Sequence, residues 1–282
     1  MQIEAGQVAV VTGAGSGIGR ALALHAAGRA MRVVVADVDP VRVDDTVATI
    51  GQLGAEAIGV RTDVSVDAEV QRLADAAFSA FGAVHLLCNN AGVFCGGLLW
   101  ERTEADWDWV LGVNVRGITS AIRAFVPRMI EAGEPGHIVN TASMGGLVTG
   151  AYSGPYYTSK FAAVGLTDCL AHDLRAAGTS IGASVLVPSL VHTDIGGSGR
   201  HRPERFVDRS HQPGADVEFV EQMLTSATTE AGMPPTEVAD LVFDAVEADR
   251  FWIPTKPSYH DQIRQRHEDM QDLTLPRPPV LD

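Results

Sequence analysis

Residues 154 to 167, GPYYTSKFAAVGLT, put Tyr156 and Tyr157 side by side, four and three positions ahead of Lys160. On a helix either spacing brings a side chain to the lysine's side, so spacing alone leaves both tyrosines open. An ammonium beside a phenol favours the phenolate. Moving a tyrosine from a pKa of ~10 to near ~7 takes about 4 kcal/mol of differential stabilisation. A tyrosine prepared in this way is a general acid or base for a proton on oxygen.

A second constellation lies near the N-terminus. TGAGSGIG, residues 12 to 19, follows the apolar run QVAVVT and opens a helical pattern. Its glycines, Gly13, Gly17 and Gly19, let the backbone approach a pyrophosphate held at a helix N-terminus. About twenty residues on, Asp37 closes the next apolar run, where a carboxylate accepts hydrogen bonds from adenosine ribose hydroxyls and repels a 2′-phosphate. The combination predicts a dinucleotide cofactor and favours NAD over NADP. An oxidised nicotinamide ring would join Lys160 in stabilising the phenolate.

The elements that must hold these groups follow a regular alternation. QVAVVT precedes a helical pattern at 17 to 30, MRVVVAD one at 40 to 53, and AEAIGVRTD one at 66 to 81. VHLLCNNAG, a long helical stretch from about 103 to 132, GHIVNTAS, a helix from about 155 to 177, and TSIGASVLVP complete the series. Short β-branched runs alternating with helices predict an α/β fold. The expectation is a Rossmann-type doubly wound parallel sheet of about seven strands, in the order 3-2-1-4-5-6-7, with helices on both faces.

After Pro188 the alternation gives way to a Gly-, Arg- and His-rich segment. Amphipathic helices near 216 to 230 and 235 to 248 come next, then RFWIP as a last strand, a polar helix at 258 to 272, and LPRPPVLD. With no repeat and no linker, residues 1 to 282 read as a single dinucleotide-binding domain. A substrate-loop insertion occupies about 189 to 233 and a C-terminal extension about 255 to 282.

Composition narrows the function classes. With 282 residues, 46% hydrophobic and 20% charged, the chain can bury a substantial core. A formal net charge of −14 disfavours nucleic acid and anionic membrane surfaces as partners. No apolar run reaches membrane-spanning length, and the short stretch before the first strand leaves no room for a signal peptide, so a cytoplasmic protein is expected. Cys88, Cys95 and Cys169 form no CxxC pair, and the histidines show no HxxxH or HExxH spacing, so neither disulfides nor a metal site are expected.

In order along the chain stand TGAGSGIG, Asp63-Val64, NNAG at 89 to 92, Asn114 in GVNVRG, Ser143, and YYTSK. Together these motifs, spread from Gln7 to about Pro254, resemble the short-chain dehydrogenase/reductase family. The resemblance implies that Tyr156, not Tyr157, is the catalytic acid/base. It further implies that Ser143 hydrogen-bonds the substrate oxygen, that Lys160 holds the nicotinamide ribose, and that Asn114 anchors a water linking Lys160 to solvent. For the cofactor it implies contacts from Ser16 and Ile18 beside the glycines, Asp63 and Val64 at the adenine, and Asn90, Ala91 and Gly92 beneath. Pro188, Val191 and Thr193 would follow at the nicotinamide end. The family usually writes Pro-Gly after the sixth strand; here Ser189 follows Pro188, which puts the local path in question.

The substrate end reads as apolar, with Phe94, Met144, Leu147, Val148, Tyr152 and Leu190 as its candidate lining. Runs such as WVLGVNVRG look similar to a branch that includes bacterial dehydrogenases of lignin-derived benzylic alcohols. The expected substrate is a hydrophobic secondary alcohol or its ketone, aromatic or alicyclic. Rival readings are a nucleotide-sugar epimerase, which the glycine spacing does not match, and a dinucleotide-sensing binding protein. Arg200, Arg202, Arg205 and Arg209 read as a solvated loop face. The resemblance also implies a homo-oligomer, a tetramer or else a dimer.

Overall fold

The computed structural model describes residues 1–280. The strands are β1 (Val8–Thr12), β2 (Arg32–Asp37), β3 (Ala57–Arg61), β4 (Leu86–Asn89), β5 (Gly136–Thr141), β6 (Ile181–Val187) and β7 (Trp252–Pro254). They form one parallel sheet in the order β3-β2-β1-β4-β5-β6-β7, as the alternation predicts. The helices are α1 (Gly17–Gly28), α2 (Pro40–Gln52), α3 (Asp67–Phe81), α4 (Glu104–Leu111), α5 (Gly117–Ala132), α6 (Gly154–Ala176), α7 (Ala215–Ala231), α8 (Pro235–Glu247) and α9 (Tyr259–Gln271).

Strands β1, β4 and β5 are buried along their whole length, which is why their sequences run apolar without alternating. On one face Leu73 of α3, Trp109 of α4, Phe125 of α5 and Leu170 of α6 pack against Val10, Leu87 and Ile138. On the other, Leu22 of α1, Ile50 of α2 and Phe243 of α8 pack against Val11, Val35 and Val139. The edge strands are different: β3 is only half-buried and β7 has three residues, a shortness that limits edge pairing.

On crossing from β3 to β4 the chain reverses its direction of travel across the sheet, which leaves β1 and β4 adjacent, Ala9 opposite Leu86. A crevice opens at such a switch point beyond the carboxyl ends of the strands. The helical stretch from 103 to 132 is not continuous. A capping box starts α4, with Asp106 N donating to the Thr103 hydroxyl at 3.1 Å and Thr103 N donating to the Asp106 carboxylate at 2.9 Å. Between α4 and α5 a π turn, Gly112–Arg116, widens the helix around Asn114, whose residue is buried.

After β6 the insertion forms 3₁₀ turns at Ile195–His201 and Glu204–Phe206 and then α7. Beyond α9 the chain doubles back, with Arg277 N donating to Asp269 Oδ2 at 2.8 Å. The last two residues of the expected C-terminal extension, 281 and 282, lie outside the described residues. Among the described residues no helix is long and apolar enough to cross a membrane. All three cysteines are free thiols.

Candidate active site

A row of polar side chains across the central strands fixes the floor of the crevice. The Thr12 hydroxyl accepts from Asn90 N at 3.0 Å and Ala91 N at 3.1 Å, and Asn90 Nδ2 donates to the Thr12 carbonyl at 3.0 Å. Deeper in the sheet Asn89 Nδ2 donates to Asn140 Oδ1 at 2.8 Å. These bonds satisfy groups that burial would otherwise leave costly, and they hold the ends of β1, β4 and β5 in register.

The candidate acid/base group stands on this floor. Tyr156 and Lys160 both lie in the first turns of α6, and the Lys160 ammonium sits 5.6 Å from the centroid of the Tyr156 ring. Lys160 Nζ donates to the Thr141 carbonyl at 3.0 Å. Burial pulls Lys160 down to about 8. Burial also pushes the Tyr156 phenol up to about 12, an increase that the neighbouring Ser143 hydroxyl partly offsets. Burial by itself therefore favours the neutral phenol. The lysine alone does not make it acidic.

Ser143 has two tasks. Its hydroxyl accepts from Gly145 N at 3.0 Å, capping the 3₁₀ turn Met144–Gly146, and donates to the Pro188 carbonyl at 3.4 Å. Asn114 is fully committed: its Oδ1 accepts from Val93 N at 2.8 Å, and its Nδ2 donates to Val93 O at 3.0 Å and Ser159 Oγ at 2.9 Å. Ser159 Oγ in turn donates to the Tyr156 carbonyl at 2.7 Å. Ser159 thus joins the Asn114 turn to the Tyr156 turn, a link the sequence signals only as the serine within YYTSK.

The other end of the crevice has the shape of a phosphate and ribose cradle. Gly13 and Gly17 adopt φ of +66° and +51°, which favours glycine at both. Gly19 faces away from the crevice; a Cβ there would meet Gly13 O at 2.1 Å and Asn90 Nδ2 at 2.5 Å. Its smallness lets the start of α1 pack against the floor. Asp37 accepts from Gly15 N at 2.9 Å and Asp39 N at 3.1 Å, and its carboxylate still faces the crevice with lone pairs to spare. Ser16, Ile18, Asp63, Val64, Asn90, Ala91, Gly92, Pro188, Val191 and Thr193 line the same crevice. Ser189 is not among the residues with positive φ, so a serine follows Pro188 there without backbone strain.

At the substrate end Phe94, Met144, Val148 and Leu190 line the wall, and Phe94 packs edge-on against Tyr156 at 5.3 Å. Two expected lining residues do not. Leu147 packs into the cluster of Ala163, Val164 and Val185 beneath α6. Tyr152, with φ of +61°, turns outward and meets Phe219 edge-on at 6.3 Å. Their places are taken by Val220, Met223 and Leu224 of α7 and by Pro279 and Val280 of the returning C-terminal segment. The apolar period of the 216 to 230 helix signals the first group; nothing local signals the second.

Of the insertion's arginines, Arg202 and Arg205 engage the body of the protein, whereas Arg200 and Arg209 stay on the exposed loop face that the sequence predicts. Arg205 pairs with Asp63 at 2.7 Å, and Arg202 pairs with buried Asp106 at 2.6 Å while its guanidinium lies over Trp109. Arg200 donates to the carbonyls of Asp194 and Gly197, and Arg209 pairs with Glu204. Burial acts to raise Asp63, but bonds from Ser65 and Arg205 outweigh it and hold the carboxyl below its usual range. Ser198 Oγ accepts from Phe94 N at 3.2 Å, so the insertion is fastened to the body on both sides of the crevice.

Parallel strands, a glycine turn below an acidic strand end, and Ser143, Tyr156 and Lys160 lining one crevice make a Rossmann-type fold with polar groups gathered at its switch point. The profile of the short chain dehydrogenases matches residues 7–204. A crystal structure of a short chain dehydrogenase/reductase from Burkholderia phymatum in complex with NAD superposes with a TM-score of 0.96 at 47% identity, covering 99% of each chain. The C alpha-dehydrogenase of a Sphingobium strain is 33% identical over 96% of this chain and 87% of its own. The 1-deoxy-11-beta-hydroxypentalenate dehydrogenase of Streptomyces exfoliatus is 36% identical over 96% of this chain and 91% of its own. The chain belongs to the short-chain dehydrogenase family.

Proposed function

We propose that this protein is an NAD-dependent oxidoreductase interconverting a hydrophobic secondary alcohol and its ketone, with Tyr156 as general acid/base. The observation that carries this reading is the convergence of Ser143, Tyr156 and Lys160 on one crevice whose far end presents Asp37. Residues 1 to 282 would act as one domain, with the insertion forming a wall of the substrate pocket. The solved NAD complex of the Burkholderia relative supports the cofactor choice.

The residues fit an NAD molecule. Gly13, Ser16, Gly17 and Ile18 would face the pyrophosphate, where the first turn of α1 offers backbone N–H groups and the positive end of its dipole. Asp37 would accept from the adenosine ribose and exclude a 2′-phosphate, and Asp63 and Val64 would flank the adenine. Lys160 would hold the nicotinamide ribose, and Thr193 would meet the carboxamide. NAD, when bound, would supply the hydride acceptor and a positive charge beside Tyr156.

In alcohol oxidation Tyr156 takes the hydroxyl proton as the carbinol hydride leaves, so the substrate loses two electrons and both hydrogens. Ser143 donates to the substrate oxygen and steadies its developing charge. Lys160, together with the positive charge of bound NAD, would favour the ionised Tyr156 and pass the proton outward. As the family resemblance implies, Asn114 would anchor a water that links Lys160 to solvent. The apolar wall of Phe94, Val148, Leu190 and Met223 excludes bulk water and receives the substrate's hydrocarbon.

The test is direct. Mixing the protein with NAD and a panel of aromatic and alicyclic secondary alcohols should raise absorbance at the reduced-cofactor band. Tight NAD binding with no turnover across the panel would favour a dinucleotide sensor instead.

A further inference from the structure

Tyr157 takes no part in the scheme above, yet it also lines the crevice. Successive helical residues point about 100° apart, and α6 begins at the crevice, so both rings reach it from different sides; their centroids are 6.4 Å apart. Two glycines make room for the second ring. A Cβ on Gly145 would lie 2.9 Å from Tyr157 Cδ1, and a Cβ on Gly150 would lie 3.1 Å from the Tyr157 hydroxyl and 3.3 Å from Pro279 Cδ. The phenol is therefore seated in a slot whose tip is bounded by Gly150 and the Pro279 ring.

No hydrogen bond within the described residues engages that hydroxyl, and it is open to the crevice, not sealed in the core. The Pro279 ring beside the slot has no N–H to give it. Burial pushes Tyr157 up from the usual tyrosine value, so near neutrality it keeps its proton and acts as a donor. Elsewhere the substrate end is walled by Phe94, Val148, Val220, Met223 and Leu224. A hydroxyl placed in such a wall must be satisfied by whatever fills the cavity, because leaving it unmatched is costly.

We propose that the Tyr157 hydroxyl is a second, specificity-determining anchor for the substrate, selecting alcohols and ketones that carry a hydrogen-bond-accepting oxygen, ether or carbonyl, on an otherwise apolar skeleton. This rests on the oxidoreductase reading and narrows its substrate class. A site built around a polar group discriminates against the analogue lacking the matching atom, whereas an apolar wall discriminates weakly by size.

The test uses matched pairs that exchange one oxygen for a methylene: 1-(methoxyphenyl)ethanol against 1-(ethylphenyl)ethanol, with the substituent at ring positions 2, 3 and 4. The wild-type protein is expected to favour the methoxy member at one position at least, by about tenfold in kcat/KM, the scale of one neutral hydrogen bond. Tyr157→Phe should bring that ratio to near one while its melting temperature stays level or rises, since the hydroxyl it removes has no partner in the fold. The same comparison is made without turnover by titrating methoxy- and ethylacetophenones into the NADH complex by calorimetry. Absence of oxidation of every alcohol would defeat the oxidoreductase reading, and the ketone titrations would still decide the anchor. Ketones bound without discrimination, ketones not bound at all, or a preference that survives in Tyr157→Phe would each overturn it.

Discussion

Lys160 holds its ammonium 3.0 Å from the Thr141 carbonyl, while the Tyr156 ring that it overlooks has its centroid 5.6 Å away. The amine is thus buried and anchored to β5 at a fixed height above the crevice floor. In this arrangement Tyr156 stands near 12 and Lys160 near 8. Opposite charge beside the ring is what would bring Tyr156 toward proton exchange near neutral pH. Tyr156→Phe is therefore expected to lower kcat by about 10³-fold or more and to leave NAD affinity within about threefold. Retained turnover would move the acid/base role elsewhere.

Ser159 offers a sharper test of how the site is braced. It bridges the Asn114 amide and the Tyr156 carbonyl at 2.9 and 2.7 Å. Ser159→Ala should cost on the order of 1 kcal/mol of stability and reduce kcat about tenfold, with KM little changed. A loss of stability with full kcat would make the serine structural only.

Asp37 decides the choice of dinucleotide in the proposed scheme. Its carboxylate is fixed by Gly15 N at 2.9 Å and Asp39 N at 3.1 Å, so it cannot swing aside for a phosphate. Asp37→Ala is expected to weaken NAD binding and to shift the NAD-to-NADP ratio of kcat/KM toward NADP by about tenfold. An unaltered ratio would remove Asp37 from cofactor selection.

The ion pair of Arg205 with Asp63 spans 142 residues of sequence and, in the proposed scheme, would lie beside the adenine. Arg205 is partly exposed, so the pair should be modest in energy and screened by salt. Arg205→Ala is expected to speed NAD release several-fold in stopped-flow fluorescence. The wild-type release rate should rise with ionic strength and the variant's should not; parallel salt curves would dismiss the latch.

A pH effect on stability follows from His137, which is buried in β5 with Nε2 2.7 Å from the Ser184 hydroxyl. Ser184 Oγ donates to the Arg250 carbonyl, so Nε2 is the donor and the unpaired Nδ1 carries no proton. Burial lowers this histidine from 6.5 to about 4. Its neutral form contributes stability that is whole above pH 6.5 and is lost as pH falls toward 4, on the order of 3 kcal/mol in all. His137→Gln should flatten the urea-midpoint profile across that window.

Much of this was legible in the sequence because it is periodic or local. Apolar runs in QVAVVT, VHLLCNNAG and GHIVNTAS marked central strands, since a strand covered on both faces has no polar positions to alternate. The glycine turn, Asp37 and the YYTSK motif were legible for the same reason, since each is held by its own strand or helix end, and the structure brings them to one crevice. The break in the 103 to 132 helix was not visible, because a π turn keeps helical composition and changes only the hydrogen-bond register.

The tertiary structure alone decided which side chains share the substrate end. Leu147 and Tyr152 lie within a few residues of Val148, yet one turns into the core and the other outward. Pro279 and Val280 arrive from the far end of the chain. Periodicity fixes which face of an element is apolar, but only packing between distant segments determines which apolar groups border an opening. The placement of Tyr157's hydroxyl beside Gly150 and Pro279 is of that kind: no pattern in the residues near 157 refers to residue 279.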